Sequence, residues 1–207
     1  MPTITSLRQT YLNTYLHRTD GNAKPWTDAQ CDQHLTDALS QSWANGLGLF
    51  VSGTVATNES SDRYTIPASI ELVSRVDIEQ VAGGVTAIVD TVRNWRRFSS
   101  TQILIRPRIT TDSTLSLRVY GWKRFATTAS DLVADLENVI SMKAASLAYG
   151  ALSAELANSQ RQQNLDSGRV VDYQTAVGMS AYYMRLYRES IDSHPNRMSV
   201  APRAASR

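Results

Sequence analysis

Between two stretches with helical periodicity lies a block with the period of a strand. In "RYTIPASIELVSRVDIEQ", Arg63 to Gln80, apolar Tyr64, Ile66, Ile70, Leu72, Val76 and Ile78 take even positions. Polar Arg63, Thr65, Glu71, Arg75, Asp77 and Glu79 take odd ones. Successive side chains point to opposite faces of a strand, so this alternation predicts a strand with one buried face. Val73 and Ser74 interrupt the phase. Pro67 has no N–H for a ladder and marks an edge or a bend between two short strands. After the turn "AGG" (Ala82–Gly84), further strands are predicted at Val85–Val89, Gln102–Pro107 and Leu115–Trp122. About five short strands joined by short turns predict an antiparallel meander.

The flanks read differently. Leu7, Tyr11 and Tyr15 recur at four-residue spacing, predicting a first helix over Thr5–His17. "TDGNAKP" is turn-rich. Thr27 followed by Gln30 matches a capping box, and Cys31, Leu35, Ala38, Leu39 and Ser42 continue one face of a second helix. "NGLG" (Asn45–Gly48) should end it. Beyond Phe125, Thr128 and Asp131 match the capping spacing again. Val133, Leu136, Ile140, Ala144, Leu147, Ala148 and Ala151 then form an apolar stripe that fades in "SAELANSQRQQNLDSG". Tyr173, Ala176, Val177, Ser180, Ala181, Met184, Tyr187 and Ile191 mark a last helix, which Pro195 and Pro202 keep from continuing.

The expected fold class is therefore α+β: an antiparallel bundle of about four helices with a central inserted antiparallel β-sheet lobe and an extended C-terminal tail. Residues 1–47 supply the N-terminal helices, 48–125 the inserted lobe, 126–191 the C-terminal helices and 192–207 a basic tail. A chain of 207 residues, 42% hydrophobic and 19% charged, can bury one sizeable core, or a core with an appended lobe. Its net charge of +2 is unevenly placed. The count is −3 over 1–62, +5 over 63–125, −2 over 126–191 and +2 over 192–207. That is short of the basicity of a dedicated nucleic-acid binder. No apolar run approaches the roughly 20 residues that span a bilayer, so no membrane role is expected. "MPTITSLRQTYLNTYL" lacks the basic and apolar regions of a secretory signal.

Catalytic motifs are missing. The single cysteine, Cys31, forbids an internal disulfide and fits a reducing compartment. His17, Cys31 and His34 invite a metal reading, but a structural zinc site wants four ligands in paired motifs, and the remaining histidine is His194. No G-x-S-x-G, no dinucleotide loop around "GLG" and no carboxylate pair stands out. No enzyme activity, cofactor or metal is expected. Three aromatic–basic clusters remain, of which "YGWKRF" (Tyr120–Phe125) repeats at a strand end the texture of "RNWRRF" and shares its reading as a subunit interface. "RNWRRF" places Arg93, Trp95, Arg96 and Arg97 where they either stack on bases and neutralise phosphates, cap the sheet edge, or mark a subunit interface. "YYMRLYR" (Tyr182–Arg188) reads as one core face plus one wet face, or as a surface for another chain.

The order of these elements resembles the head–tail adaptor (connector) proteins of tailed bacteriophages. Tyr64, Ile66 and Pro67 match an extended Y-x-L/I-P segment. Leu117 and Val119 with the adjacent Tyr120 match a later strand approximately. Ala144, Ala145, Ala148, Tyr149 and Leu152 match an Ala- and Leu-rich helix. The resemblance covers about residues 60–152 and is one of texture. It implies a structural virion protein of the neck, made in the host cytoplasm. It would form a ring matching a twelvefold portal, dock beneath the portal, extend the DNA channel and carry the next neck or tail protein. The bundle would form the ring wall and the sheet lobe would project. Tyr183, Tyr187 and Arg188 of the last helix, with Arg197, Met198, Arg203 and Arg207 of the tail, are the expected portal contacts. Arg93, Trp95, Arg96 and Arg97 would face a subunit or the DNA, which is met without sequence preference. The alternatives are a tail-terminator or tail-completion protein and, third, a nucleic-acid-binding module.

Overall fold

The computed structural model describes residues 2–18, 25–57, 61–82, 84–106, 109, 114–159, 163–164 and 170–198. The chain is α+β and divides into two compact units. One is built from residues 1–47 and 125–197, the other from Gly48–Arg124 together with Met198.

The helical unit takes both flanks. The first helix is α-helical at Ile4–Leu7, widens to a π-turn at Arg8–Leu12 and returns to α at Asn13–Tyr15. It stops two residues before the expected His17, because His17 itself is left-handed at φ 54. The second helix, Asp28–Ser42, starts as its capping box predicts. The Gln30 N–H donates to Thr27 Oγ1 (3.3 Å) and the Thr27 N–H to Gln30 Oε1 (2.8 Å). Cys31, Leu35, Ala38, Leu39 and Ser42 are all buried. The chain leaves this helix through Gly46 at φ +84, a conformation glycine adopts without a Cβ clash.

The long helix runs Ala134–Ser159, past the point where its apolar stripe fades. The capping signal at Thr128 misled. Ala129 sits at φ 63, and Asp131 Oδ1 instead accepts from the Ala126 N–H (2.8 Å), so residues 127–131 form a turn. The terminal helix, Tyr173–Asp192, is capped by Asp172, which accepts from the Thr175 N–H at 2.7 Å. That bond holds the Asp172 carboxyl below its usual range. Ala176, Tyr183, Tyr187 and Ile191 form its buried stripe. Tyr173, Val177 and Ala181, expected in that stripe, lie four apart on an exposed one.

The long and terminal helices meet through small residues. Ser146 Oγ donates to the Ser180 carbonyl (2.9 Å) and Ser180 Oγ to that of Ser146 (2.8 Å). A Cβ on Gly150 would lie 3.4 Å from Ser180 Oγ. Tyr149 and Tyr183 stack, centroids 6.0 Å apart, and both hydroxyls donate to the Tyr15 carbonyl, at 3.2 and 3.1 Å. That carbonyl ends the first helix and has no intrahelical partner to accept from, so two tyrosines satisfy it. A short antiparallel ladder, β8 (Gln163–Asn164) with β9 (Val170–Val171), precedes the terminal helix.

Among its described residues the second unit holds seven strands rather than about five: β1 (Leu49–Ala56), β2 (Arg63–Thr65), β3 (Leu72–Ala82), β4 (Val85–Thr91), β5 (Trp95–Arg97), β6 (Gln102–Ile105) and β7 (Leu115–Lys123). They are not a meander. A four-stranded antiparallel sheet has the order β1-β7-β3-β4, and a three-stranded one the order β2-β6-β5. Pro67 follows β2 in the small sheet and precedes β3 in the large one, so the chain changes sheets at the predicted bend. Pro67 also fits against Gly53 of β1, where a Cβ would come within 2.8 Å of its ring.

The phase break at Val73–Ser74 is a β-bulge. Register shifts between Val73 and Arg75 where β3 meets β7. Val73, Val76 and Ile78 therefore share the inner face, and Leu72 turns to the outer face, 37% exposed. The inner face packs Val73, Val76, Leu117 and Val119 against Tyr64, Ile66, Ile70, Ile103 and Ile105. Each fully buried apolar side chain there contributes about 1.5–3 kcal/mol.

Candidate interaction surfaces

Where chemistry is concerned, the helical unit spends its reactive groups on packing. Cys31 is buried, and Arg18 donates to its Sγ at 2.8 Å. Burial pushes the thiol up despite that cation. Arg18 also pairs with Asp28 (2.7 Å), and Arg8 with Asp28 (3.1 Å) and Asp32 (2.7 Å), tying the first helix to the second. His34 lines a small cavity of about 160 Å3 with Trp26, Gln30 and Glu155, and burial lowers its pKa. Among the described residues, no group of three or more His, Cys, Asp or Glu side chains is placed to hold a metal.

The Arg93–Phe98 cluster is dispersed by its strand. Trp95 pairs with Ile105 in β5–β6 and packs against the inner core. Arg97 points its guanidinium at three backbone carbonyls, those of Glu71 (3.0 Å), Ser99 (3.0 Å) and Ser100 (2.8 Å). Arg96 is exposed on the outer side of the small sheet. There Arg63 lies over the Phe98 ring at 4.1 Å. Arg93 sits at an open groove of about 590 Å3, near Arg106 and Asp90, with Ile78, Ile105 and Ile109 as its floor. The four residues therefore do not form one stacking platform.

On the terminal helix the tyrosines divide. Tyr183 and Tyr187 are 6% and 1% exposed, so their rings belong to the helical core. Tyr187 OH is in contact with Asn45 Nδ2, which donates to it at 3.3 Å, and desolvation pushes its pKa up to about 12. Lys143 lies 5.5 Å from the Tyr187 ring centroid, and burial, with Arg188 nearby, lowers its pKa. The outward tyrosine of the motif is Tyr182, 46% exposed, with Arg185 beside its ring. Arg188 is exposed. Arg197 pairs with Asp192 (2.9 Å) and forms an isolated antiparallel bridge with Leu47. Met198 is half-buried. Arg203 and Arg207 lie outside the described residues.

The outer face of the large sheet holds an ionic ladder whose carboxylates are buried and whose arginines reach solvent. Arg75, Asp77 and Glu79 do lie away from the apolar core, as their alternation predicts, but Asp77 is 0% and Glu79 6% exposed. Arg75 pairs with Asp77 at 2.7 Å, and Arg118 of β7 lies 3.7 Å from Glu79. That bond to Asp77 raises the Arg75 pKa. Phe50 stacks near Tyr120 on the same face and is 47% exposed. The β3–β4 hairpin leaves Val81, Val85, Ile88 and Val89 exposed at 47%, 67%, 51% and 56%. These residues and Phe50 were not singled out from sequence, because one alternating strand looks the same whether or not a neighbour covers it.

No family model matches the chain, and no curated protein matches it. Among solved structures, similar chains come from the neck of an empty gene transfer agent (GTA) particle and from the virion of a native GTA particle. The first is 16% identical, covers 88% of each chain and has a TM-score of 0.30. The second is 16% identical, covers 86% of this chain and 87% of its own, and has a TM-score of 0.31. Scores this low assign the chain neither the fold nor the role of those proteins.

Proposed function

We propose that this chain is a structural neck protein of a tailed-phage virion: a head–tail adaptor that docks as a ring beneath the portal. In that role it extends the DNA channel and carries the next neck or tail protein. The observation that supports this most is where the three resembling segments fall. Tyr64, Ile66 and Pro67 lie at the switch between sheets, Leu117 and Val119 at the centre of the large sheet, and Ala144, Ala145, Ala148, Tyr149 and Leu152 inside the helical unit. The resemblance is carried by residues that define the architecture rather than by scattered surface positions.

Tyr183 and Tyr187 hold the terminal helix from within, and Arg188, Arg197 and Met198, followed by Arg203 and Arg207, offer the portal its contacts. Arg93 and Arg96 are the cations of the central cluster left to meet a neighbour or passing DNA. DNA that must slide is served by such sparse, weak contacts. The nucleic-acid-module reading is weaker, since Trp95 and Arg97 are already engaged. A tail-terminator remains the second reading.

The test separates them. The full chain and a form ending at Met198 are mixed with portal-containing heads and with isolated tail tubes. An adaptor co-sediments with heads and loses that binding when residues 199–207 are removed, while keeping its circular dichroism spectrum. Binding to tail tubes alone would establish the terminator reading instead.

A further inference from the structure

The large sheet ends in two strands whose outer edges pair with nothing among the described residues. β1 bonds only to β7, and β4 only to β3. Natural sheets guard such edges with lysines, prolines, short strands or a covering element. Here the edges are "LFVSGTVA", with no charge in eight residues, and "VTAIVDT", with one in seven. That one, Asp90, turns its Oδ1 back to the Thr91 N–H at 2.7 Å. The guard against edge pairing is thus reduced to one irregularity, between Ile78 and Glu79, where β4 carries Val89 as an extra residue.

We propose that β4 of one copy pairs with β1 of the next, so that the sheet continues from subunit to subunit. Three features select this occupant. The first is direction. The order β1-β7-β3-β4 is antiparallel throughout, so β4 runs opposite to β1. A second copy related head-to-tail therefore presents its β1 antiparallel to β4, with no reversal. The second is length and register. Setting the strand centres side by side puts Ile88 against Ser52 and Val85 against Val55. Ile88 and Ser52 belong to the outer face, Val85 and Val55 to the inner, so each pairing keeps its face. The third is the exposed surface. Ile88 at one edge and Phe50 at the other are bare on the outer face, and in this register Phe50 lies diagonal to Ile88, two positions along β1 from Ser52. Neither edge brings a like charge to the other.

A contact between two different edges is heterologous, and such contacts close rings or run on as filaments. The pairing deepens the ring reading given above by naming its surface, yet the edges alone motivate it, and it stands whether or not the ring meets a portal. The mode is strand addition, in which main-chain bonds supply affinity and alternate side chains supply register.

The experiment uses the full chain with Cys31→Ser as background, at high protein concentration under mild oxidation. Ser52→Cys and Ile88→Cys are made singly and together. The double variant should give a ladder of covalent multimers. An equal mixture of the two single variants should give dimers and nothing larger, and neither single variant alone should cross-link. In the native background, Ile88→Lys should abolish self-association at unchanged circular dichroism. Cross-linking of Ile88→Cys with itself would show a two-fold β4–β4 contact and overturn the proposal. So would a wild-type chain that stays monomeric throughout the concentration series, or multimers untouched by Ile88→Lys. A ladder from a protein that ignores portal-containing heads would keep the pairing and remove the neck assignment.

Discussion

The two units solve the problem of backbone and polar satisfaction in opposite ways. The helical unit closes on itself. Thr27 and Asp172 cap its second and terminal helices, the end of its first helix is taken by two tyrosine hydroxyls, and Ser146 and Ser180 bond reciprocally. Among the described residues, the β unit closes its inner face but leaves two unpaired strand edges, with Asp90 their single charge, and a bare hairpin. A helix satisfies its interior backbone alone, whereas an open sheet leaves an unpaired edge on each side.

The largest expected effect breaks the closed unit. Tyr149→Ala removes a fully buried ring and a hydroxyl that satisfies the Tyr15 carbonyl, and should cost about 3–5 kcal/mol in urea unfolding. A smaller effect appears at high pH. Tyr187 holds its proton up to about 12, against an ordinary 10.0. The unfolded chain loses that proton first, so the stabilisation is present below pH 10 and is lost as pH rises toward 12. The loss amounts to roughly 2–3 kcal/mol. Tyr187→Phe should flatten the alkaline limb of a stability–pH curve; an unchanged limb would assign the burial effect elsewhere.

A mid-sized effect tests the junction of strand and turn. Gly53→Val drives a side chain into Pro67 and should cost about 1–3 kcal/mol, with loss centred on the β unit in hydrogen exchange. Thr27→Ala should cost about 1 kcal/mol by removing one side of the capping box. At acid pH the sign follows His34. Its folded pKa lies below 6.5, so the unfolded state binds the proton first and stability falls as pH drops below that value. His34→Gln should lessen that fall. The smallest effect on stability belongs to the open unit: Ile88→Lys should stay within about 0.5 kcal/mol of wild type.

Local signals were legible where both partners lie close in sequence. The Thr27–Gln30 box, the face from Cys31 to Ser42 and the Val73–Ser74 phase break all lie within a few residues of their cause. β1 was not legible. "LFVSGTVA" follows a glycine-rich turn, contains Gly53, and becomes a strand by pairing with β7 more than sixty residues later. Asp77 reads as a solvated residue because its wall, Arg118 and Tyr120, comes from that same distant strand. The Thr128 signal failed because Asp131 serves the chain before it rather than a helix after it. At the candidate surfaces, four-residue spacing tied Tyr183 to Tyr187 but not to a side. The neighbours Tyr15, Tyr149 and Asn45 decide that both face inward.

The mass of a portal complex would show whether this chain assembles on a portal as proposed. Purified portal rings are titrated with the full chain and weighed by native mass spectrometry. A saturating step to one copy per portal subunit is expected, with no stable partial ring, because each added copy completes an edge for the next. Portal rings that keep their own mass in excess chain, or that bind a single scattered copy, would contradict it.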